Sequence, residues 1–132
     1  MSEENVELVR NSFQGDLAEM AASYWHPEIE YIEDPRLPGA SSYKGRDVVL
    51  RVWQGYLEVL GDEGDITVTV EQVVDAGERQ VPIVRIRGRA TTSGIPFDHL
   101  WGYVVEVRAG RIAYLRAYYE PDEALEAAGL RE

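Results

Sequence analysis

From residue 65 onward the hydrophobic period of the chain is two. The runs "DITVTVEQVVD", "VPIVRIRGRAT", "FDHLWGYVVEVR" and "RIAYLRAYY" each alternate apolar and polar side chains, and "AGER", "SGIP" and "RAGR" stand between them. Alternation of this kind describes strands with one face buried, and Gly-containing turns of that length join neighbours as hairpins. Four consecutive strands form an antiparallel meander. Its apolar face must be covered by something else in the chain.

The first sixty residues supply the cover. Val6, Val9 and Phe13 share a helical stripe, with acids at its start and Gly15 at its stop. A second helix starts at Asp16 with Glu19 three residues on, a capping-box spacing, and carries Leu17, Met20, Ala21 and Tyr24 until the restricted residue before Pro27 ends it. A first strand follows directly. After a loop over residues 35 to 46, Val49, Val52, Trp53, Tyr56 and Leu60 mark the longest helix, closed by Gly61. The tail "EPDEALEAAGL" reads as a short helix between Pro121 and Gly129. One domain over residues 1–132 is expected, of α+β class, with helices on one face of a curved sheet. Such a layer can enclose a pocket.

Charge narrows the partners. Thirteen basic residues against 24 acidic ones leave a net charge of -11, a field that repels phosphate backbones and anionic headgroups, so neither nucleic acid nor a membrane is an expected partner. There is no cysteine, which removes disulfides, thiolate metal sites and a thiol nucleophile. The N-terminus "MSEENVELVR" carries acids where a signal peptide has Lys or Arg, and a cytoplasmic location is the expectation. Two histidines on separate elements give no metal spacing, and neither a Ser nucleophile elbow nor a phosphate-binding Gly-rich loop occurs, so no cofactor is expected.

The stretch "EYIEDPRLPG", residues 30–39, bears the chemistry. Ile29 and Tyr31 share one face of the strand while Glu28 and Glu30 alternate against them, and two acids, Glu33 and Asp34, close it. Asp34 before Pro35 is either a turn former accepting main-chain N–H groups or a base turned into a cavity. Glu33 alternates away from it and is read as solvated. On "FDHLWGYVVEV", His99, Trp101 and Tyr103 share a face, and on the last strand so do Leu115, Ala117 and Tyr119. His26, at a helix end before Pro27, is read as structural. The row Arg85, Arg87, Arg89 is read as a solvated face pairing with acids such as Glu71 or Glu106.

Three pieces, "GDLAEMAASYWHPEIEYIEDP", "YKGRDVVLRVWQGYL" and "GRIAYLRAYYEPDEALEAAGL", carry a resemblance that covers nearly the whole chain. In order and spacing the sequence resembles the nuclear transport factor 2-like superfamily, and within it the SnoaL-like proteins and ketosteroid isomerases. The resemblance implies a cone of bent antiparallel sheet, a cystatin-like α+β roll closed by three helices from the N-terminal half, and a homodimer. It places Asp34 of "IEDP" on the isomerases' general base. The family's two oxyanion donors fall at Leu8 and near Tyr103, and neither is present in its usual form. Loss of one such donor costs about 100- to 1000-fold in rate, so a steroid isomerase is not implied. The resemblance instead implies a cofactor-independent enzyme of isomerase or polyketide cyclase type, moving a proton on a small hydrophobic carbonyl compound. Asp34 is then the base, His99 or Tyr103 the enolate-stabilising group, and Trp53, Tyr56, Trp101 and Tyr119 the substrate wall. The alternative is a non-catalytic small-molecule-binding or accessory module of the same fold. The Asp-Arg-Asp set used for epoxide hydrolysis elsewhere in the superfamily cannot be assembled from these residues.

Overall fold

The computed structural model describes residues 2–60, 66–90 and 93–130. Helix α1 (Ser2–Asn11) and helix α2 (Leu17–Tyr24) lead directly into strand β1 (Trp25–Ile32). The predicted cap is real: the Asp16 side chain accepts the Glu19 N–H at 3.1 Å. Short β2 (Ser42–Lys44) and helix α3 (Arg46–Leu60) follow, then β3 (Thr67–Asp75), β4 (Arg79–Arg89), β5 (Pro96–Arg108), β6 (Arg111–Tyr118) and helix α4 (Pro121–Ala127). Gly61, the predicted stop of α3, lies outside the described residues.

Among the described residues six strands make one curved, open sheet in the order β2-β1-β6-β5-β4-β3. The meander from β3 to β6 is antiparallel throughout, as the alternation requires. The tightest of its turns, Ala109–Gly110, has positive φ at both residues (53° and 73°), the geometry whose twist matches the two strands it joins. Two features depart from expectation. β2 was read as loop, because three residues, "SYK", are too few to show a period. β1 pairs with β2 antiparallel but with β6 parallel, so the sheet is not antiparallel throughout.

Strand parity divides the core in two. Val84, Tyr103, Val105, Leu115 and Ala117 face inward against Val9 of α1, Phe13 just after it, Met20 of α2 and Val49 of α3. Val81 and Val104, one residue out of phase, face outward and meet Ala124 and Leu125 of α4. The three N-terminal helices therefore cover the inner face, and the closing helix lies on the outer one. The outward row begins with Arg85, which bonds Glu71 at 2.6 Å and Asp98 at 3.0 Å; Glu106 pairs with Arg79.

Gly102 permits the approach of α4. A Cβ there would lie 2.8 Å from both the Ala124 Cβ and the Pro121 Cα, closer than carbon atoms tolerate. Gly55, inside α3, has nothing within 4 Å of the equivalent position. Gly102→Ala is expected to destabilise the fold by about 1–3 kcal/mol through overpacking. Gly55→Ala should stabilise it by about 0.5–1 kcal/mol, since glycine is the costlier residue in a helix. Urea unfolding of the two variants measures both signs.

Candidate functional site

The end of β1 organises two clusters, because neighbouring side chains leave a strand in opposite directions. Ile29 and Tyr31 point inward, and the next residue of that parity is Glu33. Its carboxylate is buried, correcting the solvated reading. Oε1 accepts the Ser41 N–H at 3.0 Å and makes a longer contact, 3.5 Å, with the Tyr43 hydroxyl. Oε2 accepts the Tyr56 hydroxyl. The Tyr31 and Tyr56 oxygens are 3.0 Å apart. Since a carboxylate only accepts, the Tyr56 hydrogen is committed to Glu33, and Tyr31 is the donor to Tyr56.

Aromatic rings surround this chain of hydroxyls. Trp53 meets Tyr31 edge-on at 5.5 Å between centroids, Tyr56 at 6.1 Å and Tyr103 at 6.4 Å. Its indole nitrogen is buried and has no hydrogen-bond partner among the described residues. Trp53 and Tyr56 come from one face of α3, where the three-residue spacing puts them side by side. Burial, with Tyr56 and Glu33 beside it, pushes the Tyr31 phenol far above its ordinary range. Burial does the same to Tyr56, helped by its bond to Glu33, and burial alone dominates at Tyr103.

The second cluster gathers on Tyr119, just past β6. Asp34, 3% exposed, accepts the Arg36 N–H at 2.8 Å through Oδ1 and the Tyr119 N–H at 2.6 Å through Oδ2. The first bond closes a turn of the kind the Asp-Pro sequence suggests; the second ties the end of β1 to the end of β6. His99 Nε2 lies 2.6 Å from the Tyr119 carbonyl oxygen, and its ring stacks on the Tyr119 ring at 3.9 Å. Trp101 stands edge-on to both rings. Arg36 reaches over the Tyr119 ring at 5.8 Å and pairs with Glu123 of α4.

The residues singled out in the sequence therefore fall into two groups. Asp34, His99, Trp101 and Tyr119 come together at the more exposed end of the inner face, whereas Trp53, Tyr56 and Tyr103 lie deeper. Sequence reasoning missed Glu33, Tyr31 and Tyr43. The signal was present for Glu33, two residues beyond Tyr31 on the same face. His26 is engaged locally, its Nδ1 accepting the Glu28 N–H at 3.0 Å. A groove of about 580 Å³ opens on the outer face between α4 and the sheet, lined in part by Ile83, Leu100 and Leu125, and none of the predicted site residues lines it. Glu71, Gln72 and Asp122 line it beside these apolar side chains, and the chemistry is sought on the inner face, where the predicted site residues lie. Among the described residues no group of three His, Asp or Glu side chains could hold a metal ion, and no helix is long and apolar enough to cross a membrane.

A curved sheet with three helices on its inner face and an acid among aromatic rings is an α+β fold of the NTF2-like kind. The model of the SnoaL-like domain matches residues 7–115, and the chain belongs to that family. Solved structures agree. A SnoaL-like protein of Jannaschia sp. CCS1 superposes with a TM-score of 0.77 at 17% identity, over 99% of this chain and 95% of that one. A Catenulispora acidiphila protein with a ketosteroid isomerase-like fold, in complex with trimethylamine, gives 0.70 at 15% identity, over 98% and 95%. TerC, co-crystallised with polyporic acid, gives 0.72 at 14% identity, over 96% and 98%. Likeness at these identities speaks for the fold. No curated protein matches the sequence.

The tyrosine shifts have a sign that can be checked. A phenol held protonated in the folded chain but free to ionise near pH 10 when unfolded contributes stability that is intact below that pH and lost as pH rises past it. Of the eight tyrosines, Tyr31, Tyr56 and Tyr103 are expected to titrate only as the fold is lost. Alkaline difference absorbance at 295 nm followed alongside circular dichroism measures this. Ionisation of all eight ahead of any loss of structure would contradict it.

Proposed function

We propose that the inner face binds a small, largely apolar carbonyl compound and transfers a proton at the carbon beside the carbonyl, with Glu33 as the proton acceptor. The observation that carries this reading is the kind of partner each acid holds. Both oxygens of Asp34 accept main-chain N–H groups, which can only donate. Protonating Oδ2 weakens the bond that fixes the end of β6, and protonating Oδ1 weakens the turn bond to Arg36, so Asp34 suits a brace better than the base that the family resemblance implies. Glu33 Oε2 faces a hydroxyl, which can turn and become an acceptor.

The consequence is a reversible chain. While Glu33 is a carboxylate, hydrogens run from Tyr31 to Tyr56 to Glu33. When Glu33 takes the substrate's proton, its new O–H can donate to Tyr56, Tyr56 can then donate to Tyr31, and the Tyr31 hydrogen is released for another acceptor. The electron pair left by the broken C–H bond moves onto the carbonyl oxygen as an enolate, and that oxygen is the acceptor this release serves. Trp53 Nε1–H is a second donor in the same ring cluster. Returning the proton from Glu33 to a different carbon completes an isomerisation. These buried donors stand in for the oxyanion groups missing at Leu8 and near Tyr103, and a fixed donor in a dry site is worth more than one in water. The surrounding rings hold a planar substrate by stacking and edge contacts. TerC, a chain of similar fold, was co-crystallised with polyporic acid, which supports proposing a compound of related size here.

Deuterium exchange at the carbon beside the carbonyl, across a panel of enolisable cyclic ketones, tests the reading. Glu33→Gln is expected to lower exchange by about 100-fold or more, and Asp34→Asn by less. Wild-type exchange no faster than solvent across the panel would favour the binding-module reading instead, and Glu33→Gln exchanging like an active wild type would remove Glu33 as the base.

A further inference from the structure

The cluster around Tyr119 holds a histidine in one chemical form. A carbonyl oxygen only accepts, so the 2.6 Å contact between His99 Nε2 and the Tyr119 oxygen requires a hydrogen on Nε2. When the ring is neutral, the lone pair therefore resides on Nδ1, which takes no hydrogen bond from the described residues. Tyr119 is itself held. Its N–H is fixed by Asp34, one ring face by His99 and the ring by the Arg36 guanidinium, which Glu123 anchors from α4. Two of these contacts act on the main chain, one on each side of a single α-carbon, so tying down the N–H also aims the carbonyl.

We propose that Asp34 is a positioning residue for His99. Through the main chain of Tyr119 it locks the imidazole as its Nε2–H tautomer and leaves Nδ1 as a proton acceptor at the more exposed end of the inner face. His99 is thereby an acceptor rather than the enolate-stabilising donor expected from the sequence, while the deeper hydroxyls donate. A hydroxyl proton of the ligand is what a free imidazole lone pair there recognises, and stacked Tyr119 and edge-on Trp101 favour a flat ring carrying that hydroxyl. The site then selects a hydroxylated aromatic or enolic carbonyl compound over a plain ketone. This use of Nδ1 on a substrate rests on the function proposed above; the tautomer lock does not.

The experiment reads the lock without any ligand. The chain contains only two histidines, so nitrogen NMR of the imidazole rings in the full-length protein, with His26→Gln for assignment, resolves His99 directly at a pH where it is neutral. The expected result is a single Nε2–H tautomer and a through-hydrogen-bond coupling between Nε2 and the Tyr119 carbonyl carbon. Asp34→Asn, whose amide can accept only one of the two N–H groups, is expected to lose that coupling and relax toward the tautomer mixture of free imidazole. Tyr119→Ala keeps the carbonyl and removes the stacked ring, and is expected to retain both coupling and tautomer. An Nδ1–H form in wild type overturns the proposal, as does an Asp34→Asn spectrum like that of wild type. Release of the lock by Tyr119→Ala also overturns it, because stacking would then be the cause. None of these outcomes depends on ketone exchange, so a failed lock and a failed enzyme reading are distinguishable.

Discussion

Two adjacent carboxylates at the end of a strand cannot face the same way, and much of this molecule follows from that constraint. Alternation sends Glu33 inward behind Ile29 and Tyr31. It sends Asp34 sideways to the end of β6. Each acid then meets what its side provides: the hydroxyls of Tyr43 from β2 and Tyr56 from α3, with the Ser41 N–H, for the first, and the main-chain N–H groups of Arg36 and Tyr119 for the second. A buried carboxylate without such partners would be costly, since an unsatisfied polar group loses its hydration with no return. The loop from 33 to 41 is shaped around these bonds, with Glu33 and Ser41 exchanging main-chain and side-chain contacts across its base.

The aromatic interior and the acids depend on each other. Phe13, Trp25, Tyr31, Trp53, Tyr56 and Tyr103 form one continuous set of ring contacts. Their bulk keeps water from the hydroxyls, and the hydroxyls give the acid partners that need no water. Rings alone would make an inert core; acids alone would require solvent. Together they form a polar thread through an apolar packing, where hydrogen bonds are electrostatically stronger than at a surface.

Much of this architecture was legible from period alone. The helix around Trp53 and Tyr56 and the four strands after residue 65 have long, regular patterns, and the grouping of His99, Trp101 and Tyr103 on one face followed from strand parity. What escaped has physical causes. The three residues of β2 are too short to carry a period, and their strand state comes from pairing with Tyr31 and its neighbours. The parallel pairing of β1 with β6 is a long-range match that neither segment encodes by itself. The outer position of α4 depends on Gly102, a residue on another element. Glu33 was misjudged for a different reason: turning Asp34 inward puts Glu33 on the solvated side by alternation, although the same alternation from Tyr31 puts it inside. The bond from Asp34 to Tyr119 spans 85 positions, and only one half of Asp34's role, the turn bond to Arg36, is local enough to read.

The parallel pairing of β1 with β6 also sets an order of assembly. α1, α2 and β1 leave the ribosome long before β6 is translated, so apart from the short edge strand β2, the N-terminal part of the chain waits for its sheet neighbour. Until the β5–β6 hairpin arrives, the apolar stripes of the early helices have no β5 or β6 surface to rest on, a period in which nascent chains are prone to stick to one another. The sheet thus closes only once β6 has formed, and the clamp at Tyr119 cannot engage before it.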